Sequence, residues 1–403
     1  MASGELTIGF LPLVDACLPI LAHEHGFAED EGVKLSFVKD VSWATVLDRL
    51  LYGHTDAAHM LAPLAIATTL GLGRPAQKLV APFVLGLNGN GVTLAKVLAE
   101  KIATPGAYAN PVTLGAKLKV EAAERKAAGR KLRFGVVHRY SSHNHKLRYW
   151  LAASGIRPDE DVEILTVAPP FVADALASGE IDGACVGEPW NSLCVERDVG
   201  TIVLATAQIW RRGVEKVLAM REARLDELRP QTEGLIRAMR RAGKHFVDPE
   251  NFALNARILA RQSYLDADEK LIARAISDRL VLTHGANPVH FPDFMFQHSE
   301  AANFPWVSQA AWLYSQMVRW DQLSFDSSDA EKARQVFRPD IYRSALSDTG
   351  DDLPAANSKV EGSVTQLTQV GTQQGSITLS ANSFFDGRTF DPEAVESYLD
   401  ALP

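Results

Sequence analysis

The chain has 403 residues, 46% of them hydrophobic and 22% charged, with a formal net charge of −8. That is enough apolar material for two or more packed lobes. No run approaches the roughly 18 uninterrupted apolar residues of a membrane span, and the acidic balance argues against a nucleic-acid surface over the whole chain. Basic residues cluster at 124–131 and 237–241, where helical spacing reads as solvated helix faces.

At the start of the chain, Met1-Ala2-Ser3-Gly4-Glu5 leads into an apolar, β-rich run over 6–10. No basic n-region, apolar h-region or cleavage site precedes it. The three cysteines, Cys17, Cys185 and Cys194, are odd in number and form no CxxC pair. Both features lead to the expectation of a cytoplasmic protein.

Strand and helix patterns then alternate, the signature of an α/β fold with mostly parallel sheets. A helix is expected over 18–25, stopped by Gly26, and a strand over 33–38. Ser42 is placed to cap a helix over 43–51. A strand over 57–61 precedes a helix over 63–70, and a strand over 79–87 ends in the polar turn Asn88-Gly89-Asn90-Gly91. A second lobe repeats the plan, with strands over 133–137, 162–167, 184–187 and 200–205. A strand over 216–220 returns to the first lobe, and helices follow from 225 to about 282. The expected division is 1–110 and 206–403 for lobe I, including a C-terminal helical extension, and 111–205 for lobe II. The Gly/Ser/Gln/Thr-rich stretch at 360–380 reads as loop or ribbon.

The stretch Ser141-Ser142-His143-Asn144-His145-Lys146 opens an amphipathic helix directly after a short buried strand. Free backbone N–H groups and the positive end of the helix dipole make such a junction an anion cradle. Other polar groups fall at strand ends too: Asp15, Ser42-Trp43, His59, Asn88 to Asn90, and Gly187 to Asn191. Two α/β lobes joined by returning strands place a cleft where such ends meet. A small polar ligand held from many sides suits that cleft.

Several runs together resemble the nitrate- and bicarbonate-binding family of solute receptors. They are Ser42-Trp43-Ala44, Ala58 to Pro63, Leu87 to Asn90, His143 to Ala152, Val186 to Asn191, Glu215 to Leu218 and Ser383 to Gly387. The resemblance spans nearly the whole chain in order. It implies a two-lobed, periplasmic-binding-protein-like (type II) α/β fold closing on a small planar oxyanion. It also implies ligand-binding roles for Trp43, Asn90, His143, the Gly187 N–H and Lys216, with Asn90 standing where nitrate receptors carry a glutamine. The bicarbonate branch is expected to have an acid at the Lys216 position and to use calcium. A lysine there therefore implies nitrate or nitrite, with no cofactor or metal.

Nitrate is planar and carries one delocalised charge, so a good site offers in-plane donors, a cation and an apolar lid. Each of these residues also has an ordinary structural reading: Trp43 as core, His143 as a surface residue in a polar turn, Lys216 as a side chain snorkelling to solvent. His145 and Lys146 read as bystanders. The one candidate for an enzyme of this fold is Cys17 as nucleophile after the first strand, although buried structural cysteine is the commoner state. Among receptors, the missing leader favours a cytoplasmic NasS-type nitrate/nitrite sensor. Such a sensor would control an ANTAR-type RNA-binding antiterminator without binding nucleic acid or membrane itself. The alternative is the substrate-binding component of a nitrate ABC transporter.

Overall fold

The computed structural model describes residues 4–402. Strand β1 (Gly4–Phe10) pairs in parallel with β2 (Val33–Lys39) and β3 (Ala57–Leu61). All five residues of β3 are buried, which is why its sequence lacks polar alternation. β4 (Leu79–Asn88) and β10 (Val214–Arg221) complete this sheet with the short strand Met295–Phe296, in the order Met295–Phe296, β4, β10, β3, β1, β2. The second sheet holds β5 (Asn90–Ala95), β6 (Leu132–Val136), β7 (Val162–Thr166), β8 (Gly183–Gly187) and β9 (Gly200–Ala205). Their order is β7-β6-β8-β5-β9. The fold is the two-lobed α/β architecture expected.

Two expectations need correction. The sheets are mixed rather than mostly parallel: β10 runs antiparallel to β3 and β4, and β5 antiparallel to β8 and β9. These are the strands that carry the chain between lobes, and each enters its sheet against the direction of the βαβ units. The first crossing also comes earlier than 110. It lies at Asn88 and Gly89, both with positive φ (59° and 81°), a conformation that Gly adopts freely and Asn tolerates. The run from 79 to 94 is thus one continuous buried track, bent at its polar turn so that its halves serve different sheets. The return crossing lies between β9 and β10.

The C-terminal part spans both lobes. Helix Val307–Arg319 packs on helix Ala62–Thr69 of the first lobe and on helix Ser142–Ala153 of the second. The polar stretch at 360–380 contains a two-stranded ribbon, Thr368–Gly371 against Ser376–Leu379. The basic residues at 124–127 and 237–241 lie on helices and include ion-paired arginines, as in Arg125–Glu121 at 3.0 Å, Arg237–Glu31 at 2.7 Å and Arg240–Asp351 at 2.9 Å. Among the described residues, no helix is long and apolar enough to cross a membrane.

Candidate functional site

The interlobe site is assembled from short polar ends of otherwise apolar elements. On the first lobe, β1 runs into a single 3-10 turn, Val14–Ala16, that carries Asp15. Ser42 caps helix Trp43–Leu51 by accepting the Thr45 N–H at 3.2 Å, which sets Trp43 as the first helical residue. β3 contributes His59, and β10 contributes Glu215 and Lys216. On the second lobe, Ser141 Oγ accepts the Asn144 N–H at 3.1 Å and starts helix Ser142–Ala153. His143 and Lys146 therefore lie in its first turns, three residues apart on one face. Asn90 opens β5 opposite Gly187 at the end of β8.

Adjacent residues on a strand normally point to opposite faces, yet Glu215 and Lys216 meet, with Nζ 3.0 Å from Oε2. The cause is local: β10 slips register against β4 on both sides of Lys216. Such bulges turn and twist a strand enough to re-aim its side chains.

The groups form a buried chain of contacts across the cleft. His59 Nε2 lies 2.8 Å from Asp15 Oδ1, and Lys216 Nζ lies 2.8 Å from Asp15 Oδ2. Lys146 Nζ donates to Glu215 Oε1 at 3.1 Å, and to Asn88 Oδ1 and the Gly213 carbonyl at 3.3 Å. His143 Nε2 is 3.0 Å from Asn90 Oδ1, while its Nδ1 is 3.8 Å from Glu215 Oε2. The Trp43 ring lies against His59, with centroids 5.3 Å apart, and 5.5 Å from Lys216 Nζ. A Cβ on Gly187 would sit 3.1 Å from both Asn90 Oδ1 and Leu13 Cδ2, so glycine is what allows β8 this close. Asp15 is the most exposed of these charged groups, at 4%. Two further contacts join the lobes beside it: Val14 N–H to the Glu188 carbonyl at 2.9 Å, and Trp190 Nε1 to the Pro12 carbonyl at 3.1 Å.

All five residues expected at the site, Trp43, Asn90, His143, Gly187 and Lys216, are brought together here. The bland alternatives for two of them fail, because His143 and Lys216 are both fully buried. One expectation is overturned: Lys146 is no bystander but a central ion-pair partner. His145 is also buried, but it turns away to Gln322 at 3.4 Å. The sequence marks Asp15 and His59 as polar strand ends and Glu215 as the start of a family-like run, but assigns none of the three a role. The signal available for Glu215 was a charged pair, Glu-Lys, inside an otherwise apolar strand.

Burial sets the electrostatics. Desolvation would raise the Asp15 pKa, but Lys216 and His59 overcome it and hold the carboxyl at about 2. Glu215 is likewise kept ionised, its burial outweighed by Lys216, His143 and Lys146. Burial lowers Lys146, with Glu215 opposing that shift, and its three acceptors match the three N–H donors of an ammonium. Desolvation of Lys216 is outweighed by Asp15 and Glu215, which raise its pKa. Burial keeps His59 and His143 neutral, His143 at about 4. Two lysines therefore balance two carboxylates, and the Lys216 charge that sequence reading offered to a ligand is already matched within the protein.

Several polar atoms in this cluster have no hydrogen-bond partner: Trp43 Nε1, His59 Nδ1 and His143 Nδ1. Lys216 has two carboxylate oxygens for three N–H groups, which leaves one donor over. Buried polar groups are ordinarily satisfied, so these atoms are available to hydrogen-bond a small polar guest.

Cys17 does not fit a nucleophile's role. It is fully buried, and desolvation together with the neighbouring Asp15 carboxylate pushes its pKa up, the opposite of an activated thiolate.

Residues 2–260 match the NMT1-like family. The nitrate/nitrite binding protein NrtA of Synechococcus elongatus is 31% identical over 98% of this chain and 86% of its own length. The bicarbonate transport ATP-binding protein CmpC of the same species is 29% identical over 99% of this chain, which spans 55% of that longer protein. The crystal structure of the periplasmic nitrate-binding protein NrtA from Synechocystis PCC 6803 has a TM-score of 0.85 and 25% identity, covering 99% of this chain and 98% of that one.

Proposed function

This chain belongs to the NMT1-like family, and from that membership we propose that its interlobe cleft binds nitrate or nitrite as the substrate-capturing receptor of an anion import system. The observation that carries the reading is the convergence of Trp43, Asn90, His143, Gly187 and Lys216 on one buried, under-satisfied polar cluster between lobes. In this reading the free Lys216 N–H, the Trp43 indole N–H and the Asn90 amide take up oxygens of a planar anion, and the Trp43 ring shields a face. Glycine at 187 lets the backbone approach. The two lobes close over the ligand, and closure supplies the low dielectric in which these hydrogen bonds are strong.

The role in import is supported by the printed functions of the relatives, which are anion-binding and transport proteins. The same cleft would also serve the cytoplasmic sensor and its ANTAR-type partner, but the relatives favour the receptor role. Lys216 supports nitrate or nitrite over bicarbonate. Calorimetry with nitrate, nitrite, bicarbonate and sulfate on the wild type and on Lys216→Glu tests the reading. Nitrate or nitrite should bind most tightly, and the variant, which turns the buried charge to −2, should lose at least about a hundredfold. Full nitrate affinity in Lys216→Glu, or preference for bicarbonate, would sink it.

A further inference from the structure

The charge count in the cleft has a consequence for what must enter with the anion. Asp15 and Glu215 are balanced by Lys146 and Lys216, and all four are buried. A monoanion added to this set would leave one uncompensated negative charge in a desolvated space, a state that proteins relieve by shifting a proton.

Hydrogen-bond directions show where the proton would go. The Asn90 amide nitrogen faces the Asn88 carbonyl at 3.5 Å, which orients its oxygen towards His143 Nε2 at 3.0 Å. An amide oxygen only accepts, so neutral His143 carries its hydrogen on Nε2. Its Nδ1 then presents a bare lone pair, buried and unpartnered, 3.8 Å from Glu215 Oε2. Two acceptors face each other there, and a proton on Nδ1 would convert that contact into an ion pair. His59 is a poorer candidate. Its Nε2 is committed to Asp15 Oδ1 at 2.8 Å, and its Nδ1 has no partner.

Resting on the reading of this cleft as an anion site, we propose that one proton is a co-ligand of the anion, taken up from solvent at His143 Nδ1 as the anion binds. The groups facing His143 are Glu215 and Lys216 from β10, Asp15 from the turn after β1, Asn90 from β5, and Lys146 one turn along its own helix. The carboxylates favour the imidazolium and the ammonium groups oppose it. Without the anion these influences and burial leave His143 neutral. The anion adds the one further negative charge that tips the balance. The scheme also gives selectivity by charge, since a dianion such as sulfate would require two protons and the arrangement provides one place for them.

The test is nitrate calorimetry on the full chain at about pH 6, repeated in buffers of different ionisation enthalpy, with the pH dependence of Kd. The expected result is uptake of about one proton per nitrate and a Kd that rises about tenfold per pH unit while uptake stays near one. His143→Gln, which lacks the proton site, should bind nitrate more weakly than the wild type at pH 6, with uptake near zero and a Kd flat with pH. Should that variant fail to fold, the wild-type uptake alone decides whether a proton enters. Nitrate binding with no uptake overturns the inference and leaves the receptor reading standing. Uptake that persists in His143→Gln overturns the assignment to His143. Absence of binding by either nitrate or nitrite overturns the receptor reading and this inference with it.

Discussion

Helix Ser142–Ala153 divides two buried regions of opposite character. Its first turns give His143 and Lys146 to the interlobe cluster, and its later turns give Tyr149 to an aromatic cluster with Trp210, Trp312 and Phe384. In the aromatic region, Trp210 and Trp312 have centroids 4.5 Å apart, and Phe384 stacks on Trp210 at 5.0 Å. Tyr149 Oη donates to Asp386 at 2.9 Å. This side gains its stability from apolar area and ring packing, which need no partner of a particular kind. The polar side keeps two carboxylates and two ammonium groups away from water, at a free-energy cost. One helix is thus held from behind by hydrophobic contact so that its N-terminal residues can be kept in an arrangement that would not be stable alone.

Substitutions on each side should break this contrast differently. The largest loss is expected for Lys146→Met, which leaves Glu215 half-paired and strands the Asn88 side-chain oxygen, while the Gly213 carbonyl keeps the Asn88 N–H at 2.9 Å. Breaking a buried pair on one side should cost about 3–5 kcal/mol in urea unfolding. Trp312→Ala should cost a similar or slightly smaller amount, about 3–4 kcal/mol, but the molecules that remain folded should keep their nitrate affinity. If Trp312→Ala altered affinity as strongly as Lys146→Met, the two regions would not be separable.

A pH experiment addresses the polar side alone. The His143 pKa is held at about 4 by burial, against ~6.5 in an unfolded chain. Between those values the unfolded chain binds the proton that the folded one refuses. This group's contribution therefore falls as pH drops from ~6.5 towards 4, by up to ~3 kcal/mol. Unfolding without added anion should show that slope weakened in His143→Gln, and saturating nitrate should weaken it in the wild type. Asp15 acts lower on the scale. Its depressed pKa of about 2 gives stability that is present above ~4 and lost as pH falls through 2.

The smallest effect is expected at Gly187→Ala. Its new Cβ would meet Asn90 Oδ1 and Leu13 Cδ2 at 3.1 Å, so the neighbours must give way by a few tenths of an ångström. A loss of about 1 kcal/mol in stability is expected, with a proportionally larger loss in anion affinity because Asn90 is the atom displaced. An unchanged nitrate Kd would remove Gly187 and Asn90 from the site.

Periodicity and turn chemistry made much of this molecule readable in advance. Strands β3 and β9, and the helix Trp43–Leu51 behind its Ser42 cap, follow from local residue preferences, which act over a few positions and need no distant partner. The resemblance located Trp43, Asn90, His143, Gly187 and Lys216, and the polar strand ends marked Asp15 and His59 as unusual. Local pattern could not determine the direction in which β5 and β10 enter their sheets, because strand polarity is a property of pairs. Nor could it show that a bulge turns Glu215 and Lys216 towards the same cluster, that Lys146 reaches across to Glu215, or that the Lys216 charge is already neutralised. Coulomb energy and hydrogen bonding depend on distance and burial rather than chain order. Lys146 and Glu215, 69 residues apart, become partners only once both lobes are folded and closed.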